Sequence, residues 1–199
     1  LADAKTGEIM RKLVKTAMDP HFESLQFIKS SGGWDSTGDK FAFGAIVKGE
    51  PVLTIISIQK GNKIKEIVFP DLGEILNPSW SPDNKKIVFS ALEGGFSDLF
   101  IYDIENDELR KITDDPYGDL YPAWSPDGKY IAFSTERYSS DLSLIDIGNY
   151  ELALLDPETD EVEKIGGWTG VKNLNPQWAP DSESLYFVSD KNGITNVYR

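Results

Sequence analysis

The tightest constraint on this chain is a repeat. Ile75–Ser90 reads ILNPSWSPDNKKIVFS, and the pattern returns at Asp119–Ser134 as DLYPAWSPDGKYIAFS and at Leu174–Ser189 as LNPQWAPDSESLYFVS. A degenerate copy at Gly33–Phe43 keeps the tryptophan and the turn glycine but has lost the proline. Trp34, Trp80, Trp124 and Trp178 are thus separated by 46, 44 and 54 residues, a spacing that belongs to propeller blades or to helical arrays.

The local pattern decides between them. Segments within each repeat are short and rich in β-branched and aromatic residues, as at Lys86–Ala91, Asp98–Tyr102, Leu109–Thr113, Tyr130–Thr135 and Leu152–Leu155. Apart from a faint hint at Glu8–Met18, no stretch sustains the 3.6-residue period of a helix. Each repeat therefore predicts four antiparallel strands, a to d. Strand a ends in the tryptophan, b is the Ile-Val-Phe run, c the Phe-Ile-Tyr run and d the Glu-Leu-Arg-Lys-Ile-Thr run.

Turn chemistry supports that division. In Ser-Pro-Asp-Gly the proline presets φ to about −65°, the aspartate bonds its own turn and the fourth residue takes φ > 0. Asn84 and Gly128 suit that fourth position, whereas Ser182 does not, so the last a–b turn is expected to be looser or of another type. Strands c and d are joined by Tyr102–Glu108 in one copy, Leu155–Glu161 in another and Gln59–Asn62 in the first. Leu1–Ile9 aligns with Leu154–Val162 without a gap, so the chain is expected to begin at the end of a strand c. Ile194–Arg199 reads as a strand c ending where its turn would start.

Two arrangements fit these ends. Either residues 1–14 complete the last blade and close a four-bladed ring, or they are left from a preceding blade of a larger propeller. The expectation is one all-β domain over 1–199, a β-propeller with blades at about 28–69, 75–114, 119–166 and 174–199. Unpaired edges would allow association with a second copy.

Composition narrows the partners. A formal charge of −13 repels a phosphate backbone, so nucleic acid is not expected, and the densest basic cluster, Arg11, Lys12 and Lys15, reads as the solvated face of an edge strand. The apolar runs are far shorter than the roughly 20 residues of a membrane helix. Absence of cysteine removes disulfides, thiolate metal sites and thiol nucleophiles.

At the Asn-Pro-x-Trp-Ser-Pro-Asp-x-Lys-x-Ile-x-Phe copies the chain resembles the TolB-type propeller family, related to but distinct from WD repeats. Trp34-Asp35 lies after strand a rather than at the end of strand c, where a WD repeat would place it. The resemblance spans essentially the whole chain. It implies an exported, periplasmic setting and a non-catalytic scaffold that binds protein or peptide within a multidomain bacterial protein. The alternative it leaves open is a propeller gating substrate access to a peptidase domain outside this chain.

Candidate residues divide into structural and functional sets. The four tryptophans could form a stacking platform, but one per blade at an equivalent place favours packing between blades. Asp83, Asp127 and Asp181 could ligate calcium, yet turn capping accounts for them with too few ligands per turn for a metal site. His21 is the sole histidine and has no Gly-x-Ser-x-Gly or His-Glu-x-x-His motif beside it, so no catalytic residue is assigned and His21 reads as a helix-capping or packing residue. Gly32-Gly33 and Gly94-Gly95 are turn glycines rather than phosphate loops. No cofactor or metal is expected.

Ligand binding is expected at the mouth of the central channel, where the loops leading into strand a converge. Alignment puts Lys29, Glu74, Asn77, Asp119, Tyr121, Lys172, Asn173 and Asn175 there, a mixed polar ring. The insertion at Glu136–Gly148, which lengthens the period by about ten residues, is the second candidate surface.

Overall fold

The computed structural model describes residues 1–11, 21, 22, 24, 25 and 30–199. Four antiparallel sheets follow one another along the chain. In the first, strand a is split into β1 (Ser24–Leu25) and β2 (Gly33–Trp34), both paired to β3 (Lys40–Val47), which continues to β4 (Glu50–Ser57) and β5 (Lys63–Val68). The second is β6 (Ile75–Trp80), β7 (Lys86–Glu93), β8 (Phe96–Asp103) and β9 (Glu108–Lys111). The third is β10 (Asp119–Trp124), β11 (Ile131–Thr135), β12 (Glu151–Leu155) and β13 (Val162–Lys164). The last has three strands, β14 (Asn173–Trp178), β15 (Leu185–Ser189) and β16 (Asn196–Tyr198). Order and direction are those of propeller blades, and the ring is not closed.

Packing explains why the middle strands are apolar on both faces. Ile87, Phe89 and Ala91 of β7 point back at the first blade and share a core with Leu53, Phe69 and Trp80. Val88, with Leu99 and Ile101 of β8, points forward against Ile131, Phe133 and Leu155 of the third blade. A strand buried on both sides has no solvent face, so the alternation of polar and apolar residues disappears.

Two of the tryptophans bond across a blade boundary. Trp80 Nε1 donates to Gly33 O of the preceding blade at 3.0 Å, and Trp178 Nε1 to Ala123 O at 3.0 Å. Trp34 departs from the pattern: it is 48% exposed, against 6% for Trp80. Its indole rests against Phe41 of its own blade.

In the first two blades the outer strand is fastened by a cation to the c–d turn of the next blade. Lys65 of β5 reaches Ile104 O at 3.3 Å and Asp107 at 3.1 Å. Arg110 of β9 reaches the equivalent Pro157 O at 2.6 Å and Asp160 at 2.6 Å. Arg11 does the same over the first blade's turn, donating to Ile58 O at 3.1 Å and Gln59 O at 2.9 Å. Residues 1–11 form a hairpin, bridged at Ala2 and Ile9, that lies against the first blade through these bonds. Residues 12–14 lie outside the described residues.

The last a–b turn is not looser. Ser182 takes φ 58°, like Asn84 at 61° and Gly128 at 77°. Its hydroxyl accepts the Asp127 N–H of the third blade's turn at 3.1 Å, and Asn84 makes the corresponding bonds to Ser36. Gly128 sits over Pro82, where an added Cβ would be 3.2 Å from the ring. The residue at this position is thus chosen by its neighbour as well as by its own φ.

Candidate functional site

Each strand a of the last three blades carries a bulge at the residue before its proline. Pairing jumps from Leu76↔Ser90 to Ser79↔Val88, from Leu120↔Ser134 to Ala123↔Ala132 and from Leu174↔Val188 to Gln177↔Tyr186. Asn77, Tyr121 and Asn175 sit at the bulges with φ of 52°, 57° and 54°. Positive φ is uncommon for a residue other than glycine and costs backbone strain, so three equivalent cases mark a feature the fold imposes.

These three residues line a central cavity of about 240 Å³ together with Ser31, Ser79 and Gln177. Gln177 Nε2 donates to Asn175 Oδ1 at 3.1 Å, and the Asn77 N–H donates to Ser30 Oγ at 2.7 Å. Among the described residues the lining offers amide and hydroxyl groups of both polarities and no ionised side chain, which suits a neutral polar ligand such as a peptide backbone.

Of the described members of the predicted ring, Asn173, Lys172 and Glu74 do not line this cavity. Asn173 is buried and donates to Trp168 O at 2.9 Å and Val171 O at 3.3 Å, a loop-holding role. Lys172 is exposed, and its N–H donates to Asp190 Oδ1. Glu74 is half-buried at the start of β6, away from the cavity lining. Lys29 lies outside the described residues. Ser79 and Gln177, which follow the prolines, join the lining because the bulge turns them inward.

Asp119 opens β10 and is fully buried, with Arg137 Nη2 on its Oδ2 at 2.7 Å and no hydrogen bond on Oδ1. Burial pushes its pKa up to about 6, against the pull of the Arg137 charge. Beside it, buried Glu136 accepts the Gly118 N–H on Oε1 at 2.6 Å, while Oε2 takes no hydrogen bond. A Cβ at Gly118 would lie 2.9 Å from both Glu136 Oε2 and the Tyr150 hydroxyl, so a larger residue would have to push these side chains aside. Burial, then the Glu136 charge, pushes the Tyr150 phenol up to about 12. The group braces the root of the 136–150 insertion.

The repeated aspartates cap their turns. Ser81 Oγ donates to Asp83 Oδ1 at 2.6 Å and Ser125 Oγ to Asp127 Oδ1 at 2.7 Å, and the Asp127 carboxyl is held down to about 2 by the Ser125 hydroxyl first and then Lys129. Asp181 accepts the Glu183 N–H at 3.0 Å. No group of three or more His, Asp or Glu able to hold a metal occurs among the described residues. His21 packs edge-on against Phe22 at 4.9 Å, and its Nε2 is 2.6 Å from Glu66 Oε2 and 3.0 Å from Lys63 Nζ; residues 12–20, where a helix for it to cap would lie, are outside the described residues. Among the described residues no helix is long and apolar enough to cross a membrane.

Four successive antiparallel sheets around a central cavity, with Trp80 and Trp178 bonding across blade boundaries, define a β-propeller. The chain belongs to the TolB beta propeller domain family, whose model matches residues 23–141. Over 43 residues, 22% of this chain and 10% of the relative, it is 42% identical to the Tol-Pal system protein TolB of Wigglesworthia glossinidia brevipalpis. The crystal structure of TolB from Acinetobacter baumannii superposes with a TM-score of 0.64 at 19% identity, covering 84% of this chain and 42% of that one. A prolyl endopeptidase structure gives 0.57 at 16% identity, covering 84% of this chain and 26% of that one. The chain thus spans less than half the length of these proteins.

Proposed function

We propose that this chain is a non-catalytic protein- or peptide-binding module of an exported, periplasmic, multidomain bacterial protein, with its ligand entering the central cavity from the strand-a face. The observation that carries this reading is the triple bulge at Asn77, Tyr121 and Asn175, which spends backbone strain to line a cavity with neutral hydrogen-bonding groups. A peptide end or turn offers matching donors and acceptors.

The blades, at about 28–69, 75–114, 119–166 and 174–199, act as one unit, and residues 1–11 stand as the c–d hairpin of a preceding blade. Arg11 supports that placement by gripping Ile58 O as Lys65 and Arg110 grip the equivalent carbonyls.

The test is calorimetric titration of the chain with a panel of short synthetic peptides, repeated with Asn77→Gly and Asn175→Gly. Glycine keeps the positive φ while removing the amide. Binding weakened at least tenfold at an unchanged melting temperature supports the cavity as the site. Equal binding by both variants overturns it. The peptidase-gating alternative, which the likeness to a prolyl endopeptidase keeps in view, instead expects these changes to alter substrate selection by a catalytic domain joined to the propeller.

A further inference from the structure

Between strands b and c the first blade turns on Lys48-Gly49 and the second on Gly94-Gly95, but the third carries the insertion 136–150. Its base is clamped. Arg137 Nη2 bonds Asp119 at 2.7 Å and Asp115 at 3.0 Å, and Ser139 Oγ donates to Asn149 O at 2.5 Å. Above the clamp Asp141 and Asp146 exchange backbone bonds of 2.8 and 3.0 Å, and Asp141 Oδ1 accepts both the N–H and the hydroxyl of Ser143.

What this rigid stem holds up is apolar. Leu144 is 75% exposed, Ile145 86% and Ile147 62%. Ile145 has φ 55°, an outlier for a β-branched residue. A soluble loop gains nothing from three aliphatic side chains on a braced, strained tip, whereas a partner-binding loop gains preorganisation.

Charge selects the partner. The flanking Asp141 and Asp146 are exposed, and the chain carries −13 overall. A second copy and an anionic lipid surface are both repelled. We infer that Leu144, Ile145 and Ile147 form a docking knuckle for a polypeptide segment that alternates cationic and aliphatic side chains. The inference rests on the binding role proposed above and extends it. Arg137 ties the knuckle to Asp119 at the start of β10, two residues before Tyr121, so one ligand can run from cavity to knuckle.

Fluorescence anisotropy with labelled alternating Lys-Leu, Lys-Ser and Glu-Leu peptides tests this on the full chain. Lys-Leu is expected to bind at least tenfold more tightly than either other peptide, and Leu144→Ser with Ile147→Ser to remove that advantage. The control Ile64→Ser, on exposed β5, should leave it unchanged. If Asn175→Gly has no effect while the knuckle variant does, the knuckle stands and the cavity reading fails; the reverse result overturns the knuckle. Equal binding of the three peptides, or flotation with phosphatidylcholine vesicles that the knuckle variant abolishes, overturns it as well.

Discussion

The second and fourth blades carry nearly the same sixteen-residue repeat, yet they are built on different foundations. Trp80 is buried, and β7 has a blade on either side of it. Trp178 is half-buried, Tyr186 on β15 is exposed, and an opening of about 500 Å³ lined by Leu154, Trp178, Leu185 and Phe187 separates the fourth blade from the third. The fourth blade compensates locally: Trp168 packs on Tyr198 at 4.3 Å and on Phe187 at 5.4 Å, with Lys191 over its ring. A repeat specifies strands and turns. The stability each copy contributes is set by what flanks it.

Cutting the same ring from both blades should break the resemblance most visibly. Phe89→Ala is expected to cost ~3–5 kcal/mol and the equivalent Phe187→Ala about half as much, because the fourth blade already has an opening into which neighbours can relax. Urea unfolding of the two variants measures the gap; equal losses would mean the fourth blade is packed as tightly as the second.

A second contrast is at the first residue of strand a, where the second blade has Ile75, the third Asp119 and the fourth Asn173. Burial pushes the folded-state pKa of Asp119 up to about 6 from 3.8 in the unfolded chain, so the folded state binds the extra proton between those values. Its penalty is fully present above pH 6 and fades as pH falls through 6 toward 3.8. Stability should therefore rise on acidification by on the order of 3 kcal/mol from this group. Asp119→Asn should flatten that slope in thermal melts taken between pH 7 and 4, and a slope unchanged in the variant would assign it to another group.

Smaller effects sharpen the interfaces. Trp178→Phe removes the bond to Ala123 O and should cost ~1 kcal/mol. Arg110→Ala breaks an exposed pair with Asp160 and should cost no more than ~0.5–1 kcal/mol, shrinking with added salt. Denaturation at two ionic strengths separates them, since the tryptophan bond should be indifferent to salt.

The fold was legible because its signals are local: a proline, a capping aspartate and a residue fit for positive φ recur at fixed offsets. The site was only partly legible. Asn77, Tyr121 and Asn175 could be read from the strand alignment, but the bulge that turns Ser79 and Gln177 inward depends on pairing that no single segment reveals. Ser182 misled for a related reason, its partner Asp127 lying 55 residues away. Asp119 reads in sequence as a member of the channel-mouth ring; the arginine that pairs with it arrives with the insertion, eighteen positions later.

The three cations that reach forward, Arg11, Lys65 and Arg110, give the architecture a direction in time. Each precedes in the chain the turn it grips. During N-to-C synthesis, a newly made turn would find its anchor already folded and waiting. The order in which the blades are written is then also the order in which they can be locked.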